Sequence, residues 1–286
     1  MTNIKGIILD IDGVIVGEKI GFNSPDPPQD VINRLKEIRK QGIVVSLCTA
    51  KPHFAIKSII NAAELNNLHI TDGGGVIIDP IDNIIVKKHL IDKDAARQVL
   101  DMYLKNDVYT EFYTVDNYVI QGNQASDITS KHAHVLQQKP KIANSLINES
   151  MASEITKIMP IALDEQDKQR VSELFTPFKD KLTLSWGVHP VALPLQFGII
   201  TAPGISKQQG AIDISENTNV SFENMLGVGD SKSDWQFISL CKYGSAMENA
   251  SQDLKDLVVT KGDGNSYIGG HVDQNGILKI LDYFIK

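Results

Sequence analysis

The feature that most constrains the fold of this chain is a short apolar run that ends in two aspartates. Residues 7–9, Ile-Ile-Leu, follow one another without polar alternation, which is typical of a strand buried on both faces of a parallel sheet. Asp10 and Asp12 come directly after this run, where the period of a strand points both carboxylates to the same side. Gly13 then lets the backbone turn sharply.

Two carboxylates so close together repel one another, and each resists ionisation unless positive charge is shared between them. Hard divalent cations prefer oxygen ligands of this kind. The pair therefore predicts a metal site at the end of the strand. The alternative is that Asp10 and Asp12 only end a strand and begin a turn, which is a common role of Asp before Gly.

The bulk properties exclude some classes of protein. The 286 residues are enough for one large domain or two smaller ones. The formal net charge of -7 argues against a nucleic-acid partner bound by phosphate neutralisation.

Without a signal segment or an apolar run of bilayer length, no membrane association is expected. Cys48 and Cys241 stand in apolar surroundings, which predicts core packing and not a disulfide. We expect a cytoplasmic protein, and its oligomeric state is left open.

A strand-helix-strand unit follows the two aspartates. A helix with Asp30 as its N-cap and a buried strand over residues 43–48 together predict a parallel βαβ unit. Thr49 then falls at the carboxyl end of a strand, in the crevice where open α/β sheets bind ligands. A helix starting near Pro52 would add free backbone N–H groups that favour an anion. The alternative role of Thr49 is that of a helix N-cap only.

The character of the sequence changes in its middle third. A hairpin is predicted over residues 109–113 and 118–120, followed by shorter strands and helices without long buried runs. This pattern predicts a separate α+β unit over residues 85–189, inserted into a core formed by residues 1–84 and 190–286.

Three histidines of the middle unit, His132, His134 and His189, could suggest a metal site. They lack zinc-site spacing, and we expect them at the surface or facing a substrate.

The last third returns to the pattern of the first. Lys207 stands at a predicted helix start, and residues 224–229 form a short buried strand that runs into Asp230. Asp234 follows four residues later. The glycines at 227 and 229 lack the third glycine of a dinucleotide-binding fingerprint, so a nucleotide cofactor is not predicted.

Four motifs in this order carry a family resemblance. Asp10-Ile11-Asp12-Gly13-Val14, Thr49, Lys207 and the segment 229–234 (Gly-Asp-Ser-Lys-Ser-Asp) together resemble the haloacid dehalogenase superfamily. The insertion resembles the large α/β cap of its Cof-like branch. The resemblance implies an α/β fold, with a Rossmann-like parallel-sheet core and an inserted α+β cap that selects the substrate.

The resemblance also implies a role for each motif residue. Asp10 would be the nucleophile that forms an aspartyl-phosphate, and Asp12 would be the acid that protonates the leaving group and then the base for water. Asp230 would complete a Mg²⁺ site with the Asp10 carboxylate and the Asp12 backbone carbonyl, and Asp234 would support a metal-bound water or the active-site lysine.

The resemblance implies that the remaining motif residues bind the phosphoryl group. Thr49 and the backbone at Ala50 would bind its oxygens, and Lys207 would neutralise it. Branch members usually carry Gly-Arg after the threonine and an Asn before the last aspartate, whereas this chain has Ala50-Lys51 and Ser233 there. Arg and Lys are not interchangeable in such contacts.

The function implied is that of a Mg²⁺-dependent phosphatase acting on a small phosphorylated metabolite, above all a sugar phosphate. Two alternatives remain open at this stage. A phosphomutase or phosphotransferase would share the two aspartates but pass the phosphoryl group to a hydroxyl. A regulatory module that only binds phosphate would not need an acid/base two residues from a nucleophile.

Overall fold

The computed structural model of the protein describes residues 3–81 and 84–285. The core sheet has five parallel strands. In spatial order these are β14 (Ser266–Ile268), β13 (Tyr243–Ala246), β12 (Met225–Gly229), β1 (Gly6–Leu9) and β2 (Val44–Leu47).

Helices cover both faces of the core sheet. One face packs against α1 (Gln29–Lys40), α2 (Lys57–Ala63) and α10 (Ile277–Phe284), and the other against α7 (Lys207–Thr218), α8 (Trp235–Ile238) and α9 (Gln252–Val259). Ile7 and Leu9 of β1 point to the first face and Ile8 to the second, and all three are buried. The predicted double burial of this strand is therefore correct, and it follows from the central place of β1 between β12 and β2.

The second large sheet, which we call the insert sheet, has six strands. In spatial order these are β10 (Thr183–Gly187), β11 (Gln196–Thr201), β9 (Lys157–Ala162), β6 (Tyr109–Tyr113), β7 (Tyr118–Gln121) and β8 (Lys141–Ala143). Helix α3 (Lys93–Lys105) precedes these strands in the chain, and α4 (Asp127–Leu136), α5 (Leu146–Ala152) and α6 (Glu165–Phe175) lie between them.

The two faces of the insert sheet have different neighbours. Phe112 and Ile158 pack on one face in a cluster with side chains of α3 and α6. Met159 and Phe197 belong to a cluster on the other face, and Ala50 of the core packs against that cluster. The insert sheet therefore rests directly on the chain segment that follows β2. The predicted fold class, a parallel-sheet core with an inserted α+β unit, is confirmed.

A small antiparallel sheet joins the two parts. It consists of β3 (His69–Thr71), β4 (Val76–Asp79) and β5 (Ile84–Lys88), and β5 spans the predicted boundary at residues 84 and 85. The predicted boundary at 190 does not coincide with the edge of the insert sheet, because β11 lies between β10 and β9 in that sheet. We propose that the inserted unit continues to Thr201.

Some local predictions were wrong in detail. Helix α1 begins at Gln29 with Pro28 as its N-cap, and Asp30 lies in the first turn, where its charge still favours the helix N-terminus. Pro52 starts only a single 3-10 turn, His53–Ala55, before α2.

Cys48 and Cys241 are free and buried, as expected. No helix in the described ranges is long and apolar enough to cross a membrane.

Candidate active site

The candidate site lies where three neighbouring strands of the core sheet end. Asp10 follows β1, Thr49 follows β2 by two residues, and Asp230 follows β12. Because β2, β1 and β12 are adjacent and parallel, their carboxyl ends meet at one edge of the sheet. A cavity at this edge is lined by all three of these residues together with Asp12 and Lys207.

Three carboxylates form an acidic cluster in this cavity. Asp10, Asp230 and Asp234 each offer an oxygen, and these oxygens lie within 4.8 Å of one another. Burial, together with repulsion from Asp234 and Asp12, raises the pKa of Asp10 to about 8 despite the opposing effect of Lys207. Burial and the neighbouring carboxylates likewise raise the pKa of Asp230 well above its usual value. The cluster therefore holds more negative charge than its surroundings neutralise.

Lys207 is the cation inside the cluster. It begins α7, and its Nζ lies 3.0 Å from Asp10 Oδ2 and 2.6 Å from Asp234 Oδ1. Burial opposes the charge of Lys207, but the two carboxylates raise the pKa of its ammonium group well above the usual value. One fixed positive charge is thus shared between two carboxylates.

Asp234 is largely occupied by hydrogen bonds. Its Oδ1 accepts from Lys207, while its Oδ2 accepts from the backbone N–H groups of Asp230 and Ser231 at 3.0 and 2.9 Å and from the Ser231 hydroxyl. Asp234 therefore holds the loop that carries Asp230 and orients Lys207. Ser233, which stands where the family pattern has Asn, shares a hydrogen bond with the Ser231 hydroxyl.

The acidic cluster fits a divalent cation. Its donors are carboxylate oxygens, the ligands that Mg²⁺ prefers, and a cation would relieve the repulsion that raises the pKa values of Asp10 and Asp230. The backbone at Gly13 leaves room for Asp230: a Cβ at that position would lie 2.0 Å from Asp230 Oδ2, and its φ is +77°. Only glycine allows this close approach.

Asp12 lies beside the acidic cluster, but its carboxylate contacts two groups outside that cluster. Its Oδ1 is 2.8 Å from Lys51 Nζ and 3.1 Å from His189 Nε2. Burial opposes ionisation, but Lys51 and His189 outweigh it and hold the pKa of Asp12 well below its usual range. The Asp12 carboxylate therefore belongs to a separate constellation from Asp10 and Asp230, although all three line the same cavity.

The segment after β2 is held in place from both sides. The Thr49 hydroxyl accepts a hydrogen bond from Lys51 N at 3.1 Å, and Thr49 O accepts one from Gly73 N. Ala50 O accepts from Lys157 Nζ of strand β9 at 2.7 Å. Thr49 thus closes a turn within its own loop and is not a helix N-cap, since Pro52 is the N-cap of the 3-10 turn that follows, and Thr49 also lines the cavity.

The three histidines have different surroundings, and His134 is half-buried on α4. His132 is buried in the insert, with Nδ1 2.9 Å from Glu111 Oε2 and its ring 5.0 Å from that of Phe197, so the expected surface or substrate-facing position was wrong for it. A helix, α4, forms where only a polar stretch was recognised. His189 reaches Asp12, and no spacing rule connects residues so far apart in the chain.

Comparison with known proteins identifies the family. A family model described as haloacid dehalogenase-like hydrolase matches residues 7–281. The 5-amino-6-(5-phospho-D-ribitylamino)uracil phosphatase YwtE of Bacillus subtilis is 22% identical over 304 residues, which cover 99% of this chain and 98% of that protein.

Solved structures share the fold over the same extent. A haloacid dehalogenase-like hydrolase from Bacteroides thetaiotaomicron superposes with a TM-score of 0.79 at 20% identity, over 98% of each chain. The subclass IIB sugar phosphatase BT4131 gives a TM-score of 0.78 at 20% identity, again over 98% of each chain. The chain belongs to the haloacid dehalogenase-like hydrolase family and to its Cof-like branch, as its four motifs predicted.

Proposed function

We propose that this hydrolase is a Mg²⁺-dependent phosphatase that acts on a small phosphorylated metabolite through an aspartyl-phosphate on Asp10. The observation that carries the proposal is the position of Asp10 between Lys207 and the Asp230 carboxylate, in a cavity that also contains Asp12. A nucleophile, a cation, a metal-binding carboxylate and an acid/base group are what hydrolysis of a phosphate monoester requires.

The chemistry proceeds in two displacements. An Asp10 oxygen attacks phosphorus, the ester P–O bond breaks, and Asp12 gives its proton to the departing alkoxide. Water then attacks the phosphorus of the aspartyl-phosphate while Asp12 takes the proton from water. Inorganic phosphate leaves, and the Asp10 carboxylate is restored.

Asp12 must carry a proton in the first displacement, although Lys51 and His189 favour its ionised form before substrate binds. A phosphoryl dianion bound beside Asp12 changes this balance, because a neighbouring like charge favours the protonated carboxyl. Lys51 would then be shared with the phosphoryl oxygens. Substrate binding thus supplies the electrostatic change that makes Asp12 an acid.

Asp10, Asp230 and the Asp12 backbone carbonyl would hold the Mg²⁺ ion, with Asp234 in support. When bound, the ion offsets the charge of the phosphate dianion and of the Asp10 carboxylate as they approach. Lys207 offsets charge on the same phosphoryl group. Thr49 and the backbone N–H of Ala50 orient its oxygens.

We further propose that the substrate is a sugar phosphate or a related polyol phosphate. The cavity at the carboxylates is also lined by Ser185, Ser233 and Gln236, whose side chains can hydrogen-bond to hydroxyl groups. Two proteins similar to this chain, YwtE and BT4131, are named as phosphatases of a ribityl phosphate compound and of sugar phosphates.

The test is release of inorganic phosphate from a panel of sugar, polyol and nucleoside phosphates, with Mg²⁺ and with a chelator. We expect Mg²⁺-dependent release from a narrow group of sugar or polyol phosphates. Transfer of the phosphoryl group to a second hydroxyl, without net phosphate release, would instead indicate a mutase. Phosphate binding without turnover on any substrate would indicate the regulatory alternative.

A further inference from the structure

His189 connects the inserted unit to the acid/base group of the core. It follows strand β10 of the insert sheet and is buried, with 5% of its surface exposed. Its Nε2 lies 3.1 Å from Asp12 Oδ1. None of the four family motifs includes this residue.

The tautomer of the His189 ring is fixed by the local backbone. Nδ1 accepts a hydrogen bond from Val191 N at 3.2 Å, in the 3-10 turn that begins after His189. A nitrogen that accepts carries no hydrogen in the neutral ring, so the hydrogen is on Nε2. The ring hydrogen is therefore on the nitrogen that lies 3.1 Å from Asp12 Oδ1.

Two donors converge on the same oxygen of Asp12. Lys51 Nζ, from the core, is 2.8 Å from Oδ1, and His189 Nε2, from the insert, approaches the same atom. Contact of both nitrogens with one oxygen restricts the side-chain torsion of Asp12. Oδ2 is the oxygen left to exchange a proton with the leaving group.

We propose that His189 is a positioning residue, supplied by the insert, which orients Asp12 so that Oδ2 can protonate the leaving group. This inference rests on the proposed phosphatase function. It also gives the insert a role in the chemistry in addition to substrate selection. The carboxylate of Asp12 is fully oriented only when His189 contacts it. A misoriented acid slows proton transfer and leaves attack on phosphorus less affected.

The test compares leaving groups that differ in their need for a proton. Turnover of 4-nitrophenyl phosphate and phenyl phosphate with Mg²⁺ is measured for the wild type, His189→Ala, His189→Gln and Asp12→Ala. Gln keeps an N–H donor near the position of Nε2, whereas Ala removes it. We expect His189→Ala to lower kcat on phenyl phosphate about 10- to 100-fold and on 4-nitrophenyl phosphate less than about 3-fold.

Asp12→Ala should show the same pattern, with a still larger loss of kcat on phenyl phosphate than on 4-nitrophenyl phosphate. His189→Gln should recover most of the rate that His189→Ala loses. Equal loss on both substrates would mean that His189 has only a structural role, and this would overturn the inference. No loss on either substrate, or a Gln variant as slow as the Ala variant, would overturn it as well.

A second measurement does not depend on turnover. In nitrogen NMR of ¹⁵N-histidine-labelled protein, His189 should show the Nε2–H tautomer, and Asp12→Ala should shift its Nε2–H signal. His69 is an internal control, since its Nδ1 also accepts a backbone hydrogen bond, from Leu47 N, and its signals should not move. An Nδ1–H tautomer at His189, or no shift on removal of Asp12, would contradict the contact. If the wild type hydrolyses neither aryl phosphate, the NMR measurement alone tests this inference, and the panel of sugar, polyol and nucleoside phosphates tests the proposed function.

Discussion

Lys157 of the insert sheet and Asp72 of the core form an ion pair that is completely buried, with 3.2 Å between Nζ and Oδ1. Burial lowers the pKa of Lys157 and raises that of Asp72, and the pairing opposes both shifts. The same ammonium group donates to Ala50 O and lies 3.8 Å from the centre of the Tyr113 ring. One side chain therefore joins β9, the turn after β3 and the loop that contains Thr49.

Replacing Lys157 by methionine should destabilise the protein by about 3–5 kcal/mol, because Asp72 would remain as an uncompensated buried carboxylate. The change is measured as the free energy of unfolding in urea. Lys105→Met is the matched control: Lys105 pairs with Asp101 on an exposed helix face, and its loss should cost less than about 1 kcal/mol. Equal effects of the two substitutions would show that the buried pair contributes no more than a surface pair.

Asp10 and Asp234 should respond in opposite ways to the same change of carboxylate to amide. Asp10→Asn removes one of the clustered charges, so without metal it should stabilise the protein at pH 8. It should also lower kcat at least about 10³-fold, since the proposed nucleophile is lost. Asp234→Asn should instead destabilise, because its carboxylate accepts hydrogen bonds at both oxygens. Thermal unfolding measures whether each substitution stabilises or destabilises the protein. Undiminished turnover by Asp10→Asn would exclude Asp10 as the nucleophile.

Magnesium should bind more tightly at pH 8 than at pH 6. The raised pKa values of Asp10 and Asp230 mean that protons compete with the metal for these carboxylates, and the competition weakens as pH rises. Titration calorimetry in buffers of different ionisation enthalpy should show proton release on binding. The Tm should rise by several degrees at saturating Mg²⁺ in the wild type and not in Asp230→Asn. A metal affinity independent of pH would contradict a site built on these carboxylates.

Stability should fall in mild acid because of His69. Its Nδ1 accepts from Leu47 N, its Nε2 bonds to Leu65 O, and burial lowers the pKa of the ring to about 4. A histidine with a lowered folded-state pKa stabilises the protein above its unfolded-state pKa, about 6.5, and this contribution is lost as pH falls toward 4. From pH 7 to pH 5 the loss should be about 2 kcal/mol.

The His69 prediction is checked by urea unfolding at both pH values for the wild type and His69→Asn. The variant should be less stable at pH 7 but should lose about 2 kcal/mol less than the wild type between the two pH values. His271→Asn, at a more exposed histidine, should retain the wild-type pH dependence. If the free energies of unfolding of the wild type and His69→Asn fell by the same amount between pH 7 and pH 5, His69 would be ruled out as the source of the stability loss in acid.

The parts of the site that lie at strand ends could be predicted from sequence. An apolar run that ends in Asp, Thr or Gly-Asp marks a strand terminus, and parallel pairing brings such termini together, which is why Asp10, Thr49 and Asp230 lie at one edge. Lys207 begins a helix as predicted, but only the family resemblance implied that it lies beside Asp10.

Contacts between the insert and the core could not be predicted in this way. His189 and Lys157 meet their partners through the packing of one sheet on another, and no local periodicity encodes that packing. The sequence does not show which sheet contains β11 for a related reason: β11 is apolar like a core strand, and only its pairing with β9 and β10 places it in the insert sheet.

The position of β1 in the core sheet has a consequence for biosynthesis. β1 precedes the insert sheet in the chain, but its partner β12 follows the whole insert. On the ribosome, a nascent chain that ends before Met225 has β1 paired on one side at most, with an apolar edge open to solvent. Pairing across so large a sequence separation is slow, and such an edge is prone to association with other chains. Protection of β1 during translation, by the growing insert or by a chaperone, is therefore a requirement set by the topology itself.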